Sequence, residues 1–509
     1  MKKILNVFIV ALGVSMLFAS CKKEVLETAP AGALSGAEIF GNSQKAQSAV
    51  DGIYRMMYSN GWSASWPYEN PGLAGFTIVR SLMGEDHFMY SQGQGWFYFD
   101  YGFNTTSDWT HTSGRQYATW NLFYTLISQA NYVTDAEESL KNDKVGQNVL
   151  GQAYAIRAFA YYCLYESFCQ GNYTENKDKP GVPIYTKGTN KDTEGVGRGT
   201  IEGLFKQING DFEKSIGYFT SGGQTQSHPS HIDLYTAYGL WARAALGQQD
   251  YDRAGKCAEE ALKKPDLERV LSMTELGKFN NRNLKDILWA FEITADQAAL
   301  FGGFISHMAK DGTYGYKGPQ CIDYWLYEDG MSDTDERRAW GEQVLVKNKE
   351  GEVKGYYYVN NKFGYANATT GVADLINMRA EEMLITLAEC KCRKGEYADA
   401  RALLEELYAK RYTAKRDISS LTDSDEVSLD THIAPVTLID EILLQRRIEL
   451  WCEGMGRVPD LRRLNLGYSR SKLQPEQTDA KPNDPRFIFK IPLKEFDSNT
   501  ALDMAKDQN

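Results

Sequence analysis

Apolar residues recur at three- and four-residue steps over much of the chain, the mark of helices with one face turned inward. Between 117 and 140, Trp120, Tyr124, Ile127 and Val133 fall on one side, with polar residues between them. Between 149 and 168, Ala153, Ile156, Ala160, Tyr161 and Leu164 repeat the pattern. The same spacing predicts helices over 201–218, 234–246, 251–262, 375–394, 397–411 and 438–454. The stretches 62–103, 169–200, 301–365 and 474–485 lack this period and are rich in Gly, Pro or aromatic residues. Two short strands are predicted within them: YYYVNNKF (356–363), and the alternating FYFDYGF (97–103), which places Phe97 and Phe99 in the core. Long irregular segments inside a compact domain are usually functional.

Two segments repeat one plan. YGLWARAALGQQDYDRAGKCAEEALKKP (238–265) and EEMLITLAECKCRKGEYADARALLEELYAKR (381–411) each give a helix with small residues and a turn. Each then places Tyr-x-x-Ala, at Tyr251 and Ala254 or at Tyr397 and Ala400, in a second amphipathic helix. This looks like the tetratricopeptide pattern, in which alanines let antiparallel helices approach closely. The fold class is therefore mainly α: tetratricopeptide-like helical hairpins with long irregular loops and a few short β-hairpins.

The first residues read differently. Lys2 and Lys3 precede an apolar run from Ile4 to Phe18, then Ala19-Ser20-Cys21. A run of about 15 apolar residues is short for a membrane span, which takes roughly 20, and fits a secretory signal. Ala19-Ser20-Cys21 resembles a bacterial lipoprotein box, which implies lipidation at Cys21 after removal of residues 1–20. Phe18 departs from that box, which usually has a branched aliphatic there. No later stretch reaches ~18 uninterrupted apolar residues, so the chain is expected to be anchored to a membrane rather than to span it.

The net charge of −11 argues against nucleic acid as a partner. Of the eight cysteines, seven remain after Cys21, an odd number lying mostly in predicted helices; they read as buried small hydrophobes rather than a disulfide framework.

Five ordered stretches together resemble the SusD/RagB family of outer-membrane lipoproteins from Bacteroidota. VLETAP (25–30) with NSQKAQSAVDGIYRMMY resembles its opening, and GQAYAIRAFAYYCLYESFCQGNY with GVPIYT its arginine-bearing helix, Arg157 at the usual place. INMRAEEMLITLAECKCRKGEYADA resembles the helix that opens its C-terminal repeat. ILLQRRIELWCEGMGRVPDLRRLN resembles its strongest segment, with Cys452 where a small residue is usual, and FIFKIPLKEFDSNTAL its closing strand and Asn. The likeness covers nearly the whole chain beyond the signal. It implies an N-terminal region over 21–270 and a C-terminal region over 271–509 in one unit. It also implies a non-catalytic receptor without cofactor or metal, facing the cell exterior. Such a receptor captures an oligosaccharide, or in some members a peptide, and delivers it to a SusC-like TonB-dependent transporter.

Sugar rings offer one apolar C–H face and a rim of hydroxyls. A rigid aromatic ring covers that face at little entropic cost. The chain has 31 Tyr and 10 Trp, many of them in the irregular segments beside glycines. By analogy with the family, Trp96, Tyr314, Tyr316 and Trp325 are the expected ligand platform. Trp96 and Tyr316 have glycine and polar neighbours, whereas Tyr324, Trp325 and Tyr327 read equally well as core.

Other constellations point to structure. Arg157, Arg379, Arg446, Arg447, Glu449, Asp460, Arg462 and Arg463 read as fork-shaped ion pairs between helices. Asp329, Asp333 and Asp335 lack EF-hand spacing and read as a solvated turn. Ser230, in His228-Pro229-Ser230-His231, reads as a cap for the following helix. The sequence names no facing carboxylate pair of the kind a glycoside hydrolase holds about 5–9.5 Å apart. HExxH, GxSxG and nucleotide-loop motifs are missing as well. A hydrolase and a protein-only repeat scaffold are the rival readings.

Overall fold

The computed structural model describes residues 41–63, 69–103, 109–190, 192–223, 228–298 and 301–509. The signal segment, Cys21 and the 25–30 stretch lie outside them.

Helices α1 (Ser43–Tyr58), α2 (Gly72–Leu82), α3 (Gly114–Asp135), α4 (Lys144–Phe168) and α5 (Ile201–Gly222) form the N-terminal part. At its centre, α4 packs against α1, α3 and α5 and is buried along nearly its whole length. Its side chains are small or aromatic by turns, so neighbours can approach from several sides: a Cβ at Gly151 would meet the Phe219 ring at 3.0 Å. Asp143 caps α4 and Thr200 caps α5 through side-chain oxygens that accept backbone N–H groups.

The repeated segments are two helical hairpins, as expected. In the first, α6 (Leu234–Gly247) packs on α7 (Tyr251–Ala261); in the second, α8 (Ala380–Arg393) packs on α9 (Tyr397–Tyr408). Helix α7 also lies against α8 at close range, since a Cβ at Gly255 would sit 3.0 Å from Cys390 Cβ. Helix α10 (Leu438–Glu449) completes the group against α8. A capping box at Thr437 and Asp440 starts α10. Helix α6 is capped by Asp233, not by Ser230. Ser230 instead uses its hydroxyl to accept the Glu292 N–H and its carbonyl to accept the Trp289 indole N–H.

The strands form two small antiparallel sheets. The larger has the order β1 (His87–Met89), β3 (Gln320–Ile322), β5 (Val353–Asn360), β4 (Gly341–Lys347). The smaller pairs β2 (Ile287–Phe291) with β6 (Leu375–Arg379). Three expectations change here. The helix predicted from Leu375 begins at Ala380, because residues 375–379 extend along β2 before α8 starts. FYFDYGF is not a strand: Tyr98–Tyr101 is one helical turn entered from Phe97, whose backbone is left-handed (φ 63°). FIFKIPL joins no sheet; Phe489 N–H bonds Ser167 O at the end of α4, and the chain continues into α11 (Leu493–Ser498).

The seven cysteines of the described residues are all buried and free. Burial pushes the thiols of Cys169, Cys257, Cys392 and Cys452 up to about 12, so they pack as inert hydrophobes. The arginines named above are ion-paired between elements. Arg157 grips Asp211 with two bonds of 2.6 and 2.8 Å and also bonds Asn131, tying α4 to α5 and α3. Arg243 forks onto Glu382 across the two hairpins, and Arg463 onto Glu389. Arg379, Arg411 and Arg337 converge on buried Glu449. Asp335 departs from the solvated-turn reading, because it is fully buried and paired with Arg337.

Candidate functional site: a loop face of aromatic rings

Two glycine-containing loops lie side by side beyond the β1–β3 pair. Residues 91–97 leave β1, and residues 309–318 run into β3. Tyr90 N–H bonds Pro319 O, and the Ser91 hydroxyl bonds Lys317 O at 3.0 Å. The loops touch backbone to backbone: a Cβ at Gly93, which has φ +55°, would lie 2.7 Å from Gly318 Cα. Only glycine permits both that approach and that conformation. The second loop is wound tightly, with Tyr314 and Gly315 N–H both bonding Ser306 O and Tyr316 N–H bonding Gly312 O.

This frame stacks rings from the core outward. Phe97 is fully buried and meets His307 edge-on at 4.9 Å; His307 stacks on Tyr314 at 4.8 Å. Tyr314 in turn meets Trp96 edge-on at 5.8 Å and Phe301 at 6.5 Å. Phe301 is 57% exposed and Tyr316 is 75% exposed. The structure thus places Trp96 and Tyr314 in contact, with Tyr316 two residues on in the same loop.

The backbone reversal at Phe97 separates Trp96 from its buried neighbour. Phe97 N–H bonds Glu69 Oε1 at 2.6 Å, and Arg115 holds this corner by a fork onto Asp100 and a bond to the Glu69 carbonyl. Arg115 also lies over the Phe97 ring at 5.0 Å. A left-handed backbone at a bulky residue is sparsely populated, and here a carboxylate and a guanidinium fix it beside a candidate platform ring.

Trp325 keeps other company. Its ring tilts against His432 at 5.2 Å, lies under Arg447 at 5.3 Å, and shares no ring contact with Trp96, Tyr314 or Tyr316 among the described residues. Tyr324 is core. Tyr327 stacks on Tyr358 at 3.8 Å. Glu328 Oε1 accepts from the phenols of Tyr356 and Tyr358 at 2.8 and 2.9 Å, and Tyr90 stacks on Tyr357 at 4.2 Å. Burial, reinforced by Glu328, pushes the Tyr358 phenol above its ordinary range and keeps it a neutral hydrogen-bonding group.

Sequence reading missed Phe301 and His307. The glycines after Phe301 were a usable signal. His307 sits in an apolar helical turn, and only the fold brings it between two rings. The described residues hold no cluster of three or more His, Cys, Asp or Glu able to bind a metal ion. No helix among them is long and apolar enough to cross a membrane.

A helical-hairpin scaffold thus carries aromatic rings on its irregular loops. Residues 78–246 match the family described as "Starch-binding associating with outer membrane", and residues 308–503 match the SusD family. The two matches span most of the chain, which belongs to the SusD family. The fold is shared with a SusD-like carbohydrate binding protein from Bacteroides vulgatus (TM-score 0.75, 20% identity, 91% of this chain and 97% of that one). It is shared too with SusD superfamily proteins from Bacteroides thetaiotaomicron (0.72, 19%, 92% and 99%) and Bacteroides fragilis (0.70, 19%, 91% and 100%). No curated protein sequence matches the chain.

Proposed function

We propose that this protein is a non-catalytic carbohydrate receptor of the outer membrane. In this reading it is tethered by a lipid on Cys21, faces the exterior, and delivers captured oligosaccharide to a SusC-like TonB-dependent transporter. The observation that carries the reading is the run of rings Phe97, His307, Tyr314 and Trp96, which meets exposed Phe301, with exposed Tyr316 two residues after Tyr314 in the same loop. Buried at one end and tightly wound at the other, these rings are pre-organised, which lowers the entropic cost of gripping a sugar face. Trp96, Tyr314 and Tyr316 form the platform. Trp325 serves at most at a separate contact, given its packing on His432 and Arg447.

A glycan array probed with the purified protein tests this. Capture of one glycan class, with no new reducing ends on prolonged incubation, is the expected result. Turnover of the captured glycan, or an array without signal, contradicts it.

A further inference from the structure

A sizeable cavity lies away from the loop face. A space of ≈ 490 Å³ opens between α3, the stretches 185–190 and 193–195, and α11. Small-molecule sites typically occupy about 300–1,000 Å³. None of its lining residues belongs to the 90–98 or 301–327 loops.

Its walls are rings held by their own hydrogen bonds. Trp120 is almost fully buried and donates its indole N–H to Glu495 Oε2 at 3.1 Å. Tyr124 lies 4.6 Å from Trp120 and donates to Pro183 O at 2.8 Å. Tyr185 meets Tyr124 edge-on at 6.2 Å. Its phenol oxygen sits 3.4 Å from both the Val196 N–H and the Asn499 amide, while its own proton has no acceptor among the described residues. Asn499 Nδ2 also donates to Glu495 Oε1 at 2.8 Å. Each oxygen of that carboxylate thus takes one fixed donor and keeps a further lone pair for a hydroxyl. The Lys494 ammonium lies 4.2 Å over the Tyr117 ring, so the rim carries one charge of each sign.

The geometry points to a second ligand site, one that takes a neutral hydroxylated ring of the pyranose class. Flat rings supply the apolar wall, and Glu495 and Tyr185 supply an acceptor and a donor for hydroxyls. The carboxylate disfavours a phosphate, and the polar rim disfavours an acyl chain. The site stands independently of the loop face.

Saturation-transfer difference NMR of the purified protein tests it, with methyl β-D-glucopyranoside, methyl β-D-galactopyranoside and methyl α-D-mannopyranoside as probes. Trp96→Ala/Tyr316→Ala protein should still show transfer to one of these glycosides. Adding Tyr185→Ala should weaken that binding about tenfold, or roughly 1.4 kcal/mol. Thr193→Trp, placed on an exposed stretch of the rim, should do the same by filling the mouth without touching the buried pairs. The proposal is overturned if no glycoside shows transfer, if the loop variant alone abolishes it, or if neither cavity variant moves it. If Trp96→Ala/Tyr316→Ala leaves oligosaccharide capture intact while the cavity variants abolish it, the loop-face reading falls and this one stands.

Discussion

Arg157 and Phe97 show how single residues carry this structure. Arg157 and Asp211 are both buried, so each depends on the other for compensation. Arg157→Ala leaves the Asp211 carboxylate unpaired in the interior, and denaturant titration should show a loss of about 3–5 kcal/mol. Glu85 makes a pH-dependent contribution. Burial pushes its carboxyl up, but Arg457 and Arg447 outweigh that and hold it at about 2, against an ordinary 4.5. Its folded value lies below its unfolded one, so its contribution is complete above pH 4.5 and lost as pH falls toward about 2. Glu85→Gln should therefore flatten the fall in melting temperature over that acid window relative to the parent. The arginine pairs were legible in sequence because an arginine in an amphipathic helix has few other ways to be buried. Phe97 was not legible. Its left-handed turn depends on Glu69, 28 residues away, and no local pattern reports that bond.

At the scale of elements, periodicity found the helices, since each amphipathic face has a neighbour that requires it, although the one expected over 438–454 stops at Glu449 and the one expected from 149 starts at Lys144. It failed where an apolar run could serve either geometry. Leu375–Arg379 pairs with β2 because a strand edge lies beside it, and the helical period resumes only from Ala380. The contact between hairpins rests on small residues. Gly255→Leu should force α7 away from α8, where Cys390 sits 3.0 Å from the new Cβ, and lower stability by about 1–3 kcal/mol in thermal unfolding. The cavity beneath α11 could not be read from sequence at all. Its walls join α3 and the stretches 185–190 and 193–195 to α11 from far along the chain, as the Asn499–Tyr185 separation of 314 shows.

At the scale of the whole molecule, the lipid reading of Cys21 predicts that Cys21→Ala releases the protein from membranes. Intact-mass measurement should show an acylated N-terminus on the native form and its loss in the variant, and fractionation should show the variant's release. The receptor reading predicts that ligand capture and folding separate cleanly, because the scaffold's ion pairs and the exposed rings occupy different residues. Tyr316 is the sharpest probe, since at 75% exposure its removal costs little packing. Isothermal titration of the purified protein with the glycan selected on the array, comparing the parent with Tyr316→Ala and Trp96→Ala, tests the central claim most directly. The account predicts that each change weakens binding about tenfold or more, equivalent to at least ~1.4 kcal/mol, while Tyr316→Ala melts like the parent. Unchanged affinity in both variants would contradict it.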